Sequence, residues 1–139
     1  MLDGLWIASA APAVEAALAS MAATGPVAVL HSVRLARALA ARGRAVVLVA
    51  PAGRYDGATA AAVPTTPTYA ALIGQHSAAD GPATLAAWMA AVCAGGGVVM
   101  VDRAAATELS RRALCAGLTA LEQRVAGRWT VTSGVVTRL

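Results

Sequence analysis

Apolar positions in this chain fall into two kinds of run: short unbroken blocks, and stripes at helical spacing. Val27–Leu30 is a block between Pro26 and His31, and residues 45–49 form another, ending at Ala50-Pro51. Neither block alternates with polar residues, as expected for parallel strands covered on both faces. Between them Leu35 and Leu39 share one helical face, Arg34, Arg37 and Arg42 take the other, and Gly43 closes the helix. Residues 26–51 therefore read as strand, tight turn, helix, strand. Upstream, Pro12 suits the first turn of a helix running to about Ala23, with Val14, Leu18 and Met21 on one stripe and Glu15 opposite. Downstream, Gly53, Gly57, Pro64 and Pro67 punctuate residues 52–68, which predicts a loop with at most one helical turn at 58–62. Residues 69–74 predict a third strand leading into Gln75-His76-Ser77. Pro82 opens a helix with Leu85, Trp88, Met89 and Val92 on one face, and Gly95-Gly96-Gly97 turn the chain into a strand at 98–101. A helix over 105–116 carries Glu108 in its first turn and stops at Gly117. Residues 118–125 and 128–138 then form an antiparallel hairpin across Ala126-Gly127. Its second arm sets Trp129, Val131 and Ser133 against Thr130 and Thr132.

Strands alternating with helices and closed by a hairpin specify an α/β fold. The expectation is a Rossmann-like three-layer sandwich with a mostly parallel sheet and a C-terminal antiparallel hairpin. With 139 residues and no internal repeat, the whole chain reads as one domain, residues 1–139. Residues 1–11, which hold Leu5-Trp6-Ile7, form a candidate N-terminal arm for a partner contact.

Composition sharpens this picture. Only 13% of residues are charged, against a usual share of about 25%, so part of the surface is expected to meet protein, either a partner or a second copy. The net charge of +4 comes from eleven arginines spread along the chain without interleaved aromatics, which argues against nucleic-acid binding. The uncharged run 81–101 is broken by Pro82 and three glycines, so no membrane span is expected. Cys93 and Cys115 stand far apart inside helical patterns and read as buried thiols of a reduced, cytoplasmic protein. The start also lacks a basic leader, since Asp3 precedes any arginine.

Four segments, in order, carry a resemblance. Residues 34–43, RLARALAARG, look like the first helix after a cofactor loop. Residues 94–103, AGGGVVMVDR, look like a glycine turn into a fifth strand. Residues 114–122, LCAGLTALE, look like the passage from a last helix into a sixth strand, and the hairpin turning at Gly127 looks like a reversed seventh strand. Together, from Pro26 to Val136, they resemble the class I S-adenosylmethionine-dependent methyltransferases. That resemblance implies a cofactor site at the carboxyl end of the first strand. There the family carries a glycine-rich loop, commonly two residues longer, where this chain has His31-Ser32-Val33. Those side chains would crowd the cofactor. The family's ribose-binding carboxylate corresponds to Ala50, which has no acceptor; losing such a hydrogen bond costs about 1.5–3 kcal/mol. The stretch between Val49 and Tyr69 is also short for the family's third strand and the helix before it.

The expected function is therefore a non-catalytic, methyltransferase-like scaffold that acts through protein contact and takes no cofactor. The rival is a small active methyltransferase with an atypical loop, S-adenosylmethionine as cofactor, and His31 or His76 at the reaction. A third reading is a binder of another small ligand in the crevice of Gln75, His76 and Ser77. His31 and His76 could pair across that crevice as base and acid or as two metal ligands; two histidines without a third ligand make a poor metal site, so half-exposed residues capping strand ends is the reading carried forward. Asp80 reads as a cap or turn residue, Asp102 as a local ion pair with Arg103 or a helix cap, and Tyr55-Asp56 as loop residues. Neither Ser77 nor Ser133 has a nucleophile-elbow pattern.

Overall fold

A computed structural model describes residues 8–21, 24–49, 54–55, 58–59 and 63–137. After a single 3₁₀ turn, Ala8–Ala10, helix α1 spans Ala11–Ser20 with Pro12 in its first turn. Strand β1 (Val27–Leu30), helix α2 (Val33–Ala40) and strand β2 (Val46–Val49) follow as the block pattern predicts. Two short strands, β3 (Arg54–Tyr55) and β4 (Ala58–Thr59), precede β5 (Tyr69–Gln75) and helix α3 (Pro82–Ala90). Strand β6 (Val92–Asp102), helix α4 (Ala106–Ala116) and the hairpin β7 (Thr119–Ala126) and β8 (Trp129–Val135) complete the order.

The main sheet runs β2-β1-β5-β6-β8-β7. Its first four strands are parallel, and β8 runs antiparallel to both β6 and β7. Alternate residues of each strand feed opposite layers. Val27 and Val29 of β1 join Ile73, Val99 and Val131 beneath Val14, Leu18, Leu35 and Leu39 of α1 and α2. Ala28 and Leu30 join Leu72, Val98 and Met100 beneath Leu85 and Trp88 of α3 and Leu109 and Ala113 of α4. The expected three-layer sandwich and terminal hairpin are both present. Among the described residues no helix is long and apolar enough to cross a membrane.

Four local expectations are corrected. The stretch 52–68 holds the antiparallel pair β3–β4 where a helical turn was expected; residues 60–62 lie outside the described set. This pair forms its own sheet, and β2 is an end strand of the main one, so no third strand of the family's kind flanks it among the described residues. Val92 belongs to β6, opposite Tyr69, and not to the face of α3. Gly95–Gly97 do not turn the chain into β6 but form a bulge within it: the step of two positions from Tyr69 to Ala71 on β5 faces a step of five from Val92 to Gly97. Glycine is required there because a Cβ on Gly96 would lie 2.4 Å from the Ala70 carbonyl oxygen, and Gly95 has φ +83°. Finally, Cys93 lies in a strand, and both Cys93 and Cys115 are exposed rather than buried. Helix α1 ends at Ser20, and residues 22–23, to which it was expected to run, are outside the described set.

Candidate functional site

The loop after β1 is built to start a helix. The Ser32 hydroxyl accepts a hydrogen bond from the Leu35 backbone N–H at 3.2 Å, an N-cap that satisfies one of the open donors of α2. Ser32 is buried, and Val33 is half-buried against the core of α1 and α2. Of the three loop residues only His31 is exposed, and it holds the left-handed conformation, φ +58°, that glycine adopts at least cost. Its backbone N–H donates to the Val49 carbonyl at 2.9 Å, which ties the loop to the end of β2. Ala50, the position of the family carboxylate, lies outside the described residues, as do Asp56 and Trp6.

Gln75 is the last residue of β5 and is half-buried. His76 follows, only 2% exposed, its ring set edge-on to Trp88 with centroids 5.5 Å apart. Neither ring nitrogen of His76 has a hydrogen-bond partner. The backbone N–H and hydroxyl of Ser77 donate to Asp80 Oδ2 at 2.9 and 3.2 Å, which makes Asp80 a turn residue; Gly81, not Asp80, is the N-cap of α3. His31 and His76 thus leave adjacent strands in opposite states, one in solvent and one packed on a tryptophan. The half-exposed pair of strand-end histidines is corrected accordingly.

Behind His76 lies a charge network that the sequence reading missed. Arg112 donates from Nη1 to Asp102 Oδ2 at 2.9 Å and to the His76 carbonyl at 2.7 Å, and from Nε to Glu108 Oε1 at 3.2 Å. Both Asp102 and Arg112 side chains are about nine-tenths buried, at 11% and 9% exposed. Asp102 Oδ1 accepts from the Arg103 N–H, so its ion pair is with Arg112 and not with Arg103; the N-cap of α4 is Ala105. Arg111 binds Glu108 through Nε at 3.0 Å and Nη2 at 2.6 Å. This bonding, with the help of Arg112, lowers the Glu108 carboxyl from 4.5 to about 2. The spacing Glu108, Arg111, Arg112 was the available signal, since residues three and four apart meet on a helix. That Arg112 also turns inward follows from its place between buried Leu109 and Ala113.

These residues enclose a cavity of about 170 Å³ between α3 and α4, lined by His76, Pro82, Leu85, Glu108, Arg112 and Cys115 among others. His31 does not line it. A wider recess of about 420 Å³ is lined by Ser9, Arg103, Arg128 and Trp129, where the Arg103 guanidinium lies 5.1 Å from the Trp129 ring centre. Among the described residues no three His, Cys, Asp or Glu side chains are grouped to hold a metal ion.

No family model and no curated protein sequence matches the chain. Solved structures do match its fold. The chain is similar to Burkholderia thailandensis 1,6-didemethyltoxoflavin-N1-methyltransferase, a structure with bound S-adenosylhomocysteine, at TM-score 0.75 and 13% identity, covering 96% of this chain and 81% of that one. It is similar to a chain of the Haloferax volcanii complex between the Trm112 methyltransferase activator and a methyltransferase, at TM-score 0.63 and 14% identity, covering 90% and 89%. It also matches the Thermus thermophilus 16S rRNA N2 G1207 methyltransferase, in complex with AdoMet and guanosine, at TM-score 0.62 and 18% identity, covering 83% of this chain but only 36% of that one. With a parallel sheet that ends in a reversed hairpin strand, this chain has the fold of the class I S-adenosylmethionine-dependent methyltransferases.

Proposed function

We propose that this chain is a non-catalytic scaffold of methyltransferase fold, acting through contact with a second copy or with a partner enzyme. The observation that carries this reading is the loop after β1. It contains no glycine, its serine caps α2, its valine packs on the core, and its histidine takes the left-handed position. These residues do not fit a cofactor whose methionine end needs close approach to bare backbone. Two further observations support it. Leu114 of α4 and Val125 of β7 are 62% and 74% exposed, apolar surface on the side of the sheet away from β2. One structural neighbour is a chain of a methyltransferase–activator complex, which supports a role in a protein assembly.

The second reading, an active methyltransferase with an atypical loop, is favoured by the neighbours solved with S-adenosylmethionine or S-adenosylhomocysteine. Isothermal titration with S-adenosylmethionine, beside sedimentation of the same sample, separates the two. The scaffold reading expects no binding below the millimolar range and a mass above the monomer, alone or with its partner. Micromolar binding by a strict monomer would overturn it. Under the rival, His31→Ala abolishes turnover while thermal stability stays nearly unchanged, and His76→Ala abolishes turnover with a loss of stability, because its ring is buried against Trp88.

A further inference from the structure

Strand β7 ends the main sheet, and its outer side is complementary to itself. Among the described residues it pairs only with β8, and Thr119, Ala120, Glu122, Gln123 and Val125 are exposed along it. The hairpin fixes which backbone groups face outward. Ala126 and Trp129 close a two-residue loop in which Gly127 has φ +61°, a turn whose closing residues exchange hydrogen bonds. Bonded and non-bonded pairs alternate along an antiparallel ladder. Arg124 and Glu122 therefore bond to β8, while the N–H and C=O groups of Val125, Gln123 and Leu121 point away from it. None of these outward groups is bonded elsewhere among the described residues. The side chains sort onto two faces. Glu122 accepts from the Ser20 hydroxyl at the end of α1, and Ala126 packs on the cluster beneath α1 and α2. Gln123 donates to the Ala106 carbonyl of α4, and Leu121 packs on the cluster beneath α3 and α4. By alternation Arg124 shares the α1 face with Glu122, and exposed Val125 shares the α4 face. Arg124 is half-buried without any ion pair or hydrogen bond among the described residues, and its Nη1 is buried without a partner. Its charge is unmatched within one copy of the chain, and Glu122 has no cation either.

We infer that β7 pairs antiparallel with β7 of a second copy, about a two-fold axis at Gln123, and joins two six-stranded sheets into one. In that register the outward groups of Gln123 meet their own copies, and those of Val125 meet Leu121 of the second copy. On the α1 face Glu122 of each copy stands opposite Arg124 of the other and supplies the charge that Arg124 lacks. On the α4 face Leu121 covers the exposed Val125. A shift of two positions in either direction sets Glu122 against Glu122, or Arg124 against Arg124. Charged edge strands ordinarily resist pairing; here the two charges admit one register and oppose its neighbours. The bulge at Ala120, φ +50°, between Thr119 and Glu122, ends the regular stretch and keeps the contact short. A contact of this symmetry closes at two copies. The inference rests on the reading that the chain acts through protein contact, and it selects the second copy over a partner enzyme.

Sedimentation across a concentration series tests the interface. The wild type should show a monomer–dimer equilibrium with a dissociation constant of about 10 µM, at the weak end of specific contacts. Arg124→Glu puts two carboxylates on the α1 face of each strand, and Glu122→Arg puts two guanidinium groups there. Either variant alone should raise the dissociation constant about thirtyfold, since both cross-strand pairs of the dimer turn from attractive to repulsive. An equimolar mixture of the two variants should restore the wild-type value, because every carboxylate then faces a guanidinium. Val125→Pro removes an outward N–H and no bond to β8. It should stay monomeric, with a urea midpoint close to that of the wild type when both are measured at concentrations where the wild type is dissociated. Amide NMR spectra check that each variant is folded. A wild type that remains monomeric, a mixture that associates no better than its components, or a dimer that survives Val125→Pro would each overturn the inference. The two readings fail separately. Micromolar S-adenosylmethionine binding by an intact dimer would overturn the scaffold reading and leave this interface standing. A monomer that binds no cofactor would overturn the interface and leave the scaffold to a partner enzyme.

Discussion

The buried Asp102–Arg112 pair offers the sharpest quantitative test. Asp102 stands at the end of β6 and Arg112 in the middle of α4, so their 2.9 Å contact joins the sheet to the helix layer above it. Removing one partner from a buried pair costs about 3–5 kcal/mol, because a charge is left without compensation. In Asp102→Ala the guanidinium still has Glu108, which is more exposed, so the loss falls to about 2 kcal/mol. In Arg112→Met the Asp102 carboxylate keeps only the Arg103 N–H and the His76 carbonyl loses its donor, for a loss of about 3 kcal/mol. The double variant replaces both charges together and should lose about 3 kcal/mol, well under the sum of the singles, a coupling of about 2 kcal/mol. Urea unfolding followed by the fluorescence of Trp88 and Trp129 measures all four proteins, with slopes compared to confirm the same transition. Losses that add to within about 0.5 kcal/mol would show that the pair is not coupled and that Glu108 already satisfies Arg112.

Three further outcomes are expected. In Gly74→Ala the new Cβ would lie 2.7 Å from the Trp88 ring and 2.8 Å from Leu30 Cδ1, so the protein should lose about 2 kcal/mol in the same urea assay; an unchanged midpoint would mean that Trp88 is free to move. His31→Gly removes a left-handed strain of about 1–2 kcal/mol and loosens the unfolded chain by somewhat less, so the melting temperature should rise by about 2–4 °C; a fall would assign the His31 ring a stabilising contact. For Glu108 the folded carboxyl is lowered to about 2 from 4.5, chiefly by Arg111, so its support is complete above about pH 4.5 and is lost as the pH falls toward 2. Melting curves of wild type and Glu108→Gln should therefore converge between pH 4.5 and 2, and the gap above pH 5 should shrink in high salt because the pair is exposed; a gap that persists at pH 2 would contradict this.

The frame was legible because apolar blocks and stripes are local signals. Val27–Leu30, the Leu35/Leu39 face and the Trp129–Thr132 alternation each needed only their neighbours in sequence, and each element sits where it was expected. Gly117 was readable too, since it ends α4 in the left-handed conformation at φ +95°. What failed depended on contacts between distant segments. Gly95–Gly97 carry a turn composition, but the close approach of Gly96 to the Ala70 carbonyl is set by β5, more than twenty positions away, and makes a bulge instead. Val92 fits the face of α3 by spacing and is claimed by Tyr69 across the sheet. Cys115 was misread for a local reason. With Leu109 and Ala113 buried, Cys115 falls outside the sheet-facing stripe of α4, on the flank toward α3, and the helical period could have shown it. At the candidate site, His76 was found by its place at a strand end, but Arg112 was not, since its burial depends on Asp102 and the His76 carbonyl meeting it from the sheet.

On the scaffold reading, the layout of the core explains how a cofactor loop can be replaced while the fold stays intact. Both apolar clusters draw on strand interiors and inward helix faces; among the described residues the loop meets them through Val33, while Ser32 caps α2. A glycine-rich loop would supply neither. The substitutions that take bare backbone away from a cofactor therefore add packing and a cap worth about 1 kcal/mol to α2. Stability and cofactor binding pull in opposite directions at these positions, and this chain has the side chains that stability favours, apart from the left-handed His31. That exception is informative: the backbone keeps a glycine-like turn although the residue is not glycine, because the His31 N–H must still reach the Val49 carbonyl to hold β1 and β2 together. The geometry of the turn thus belongs to the sheet, and its chemistry was free to change.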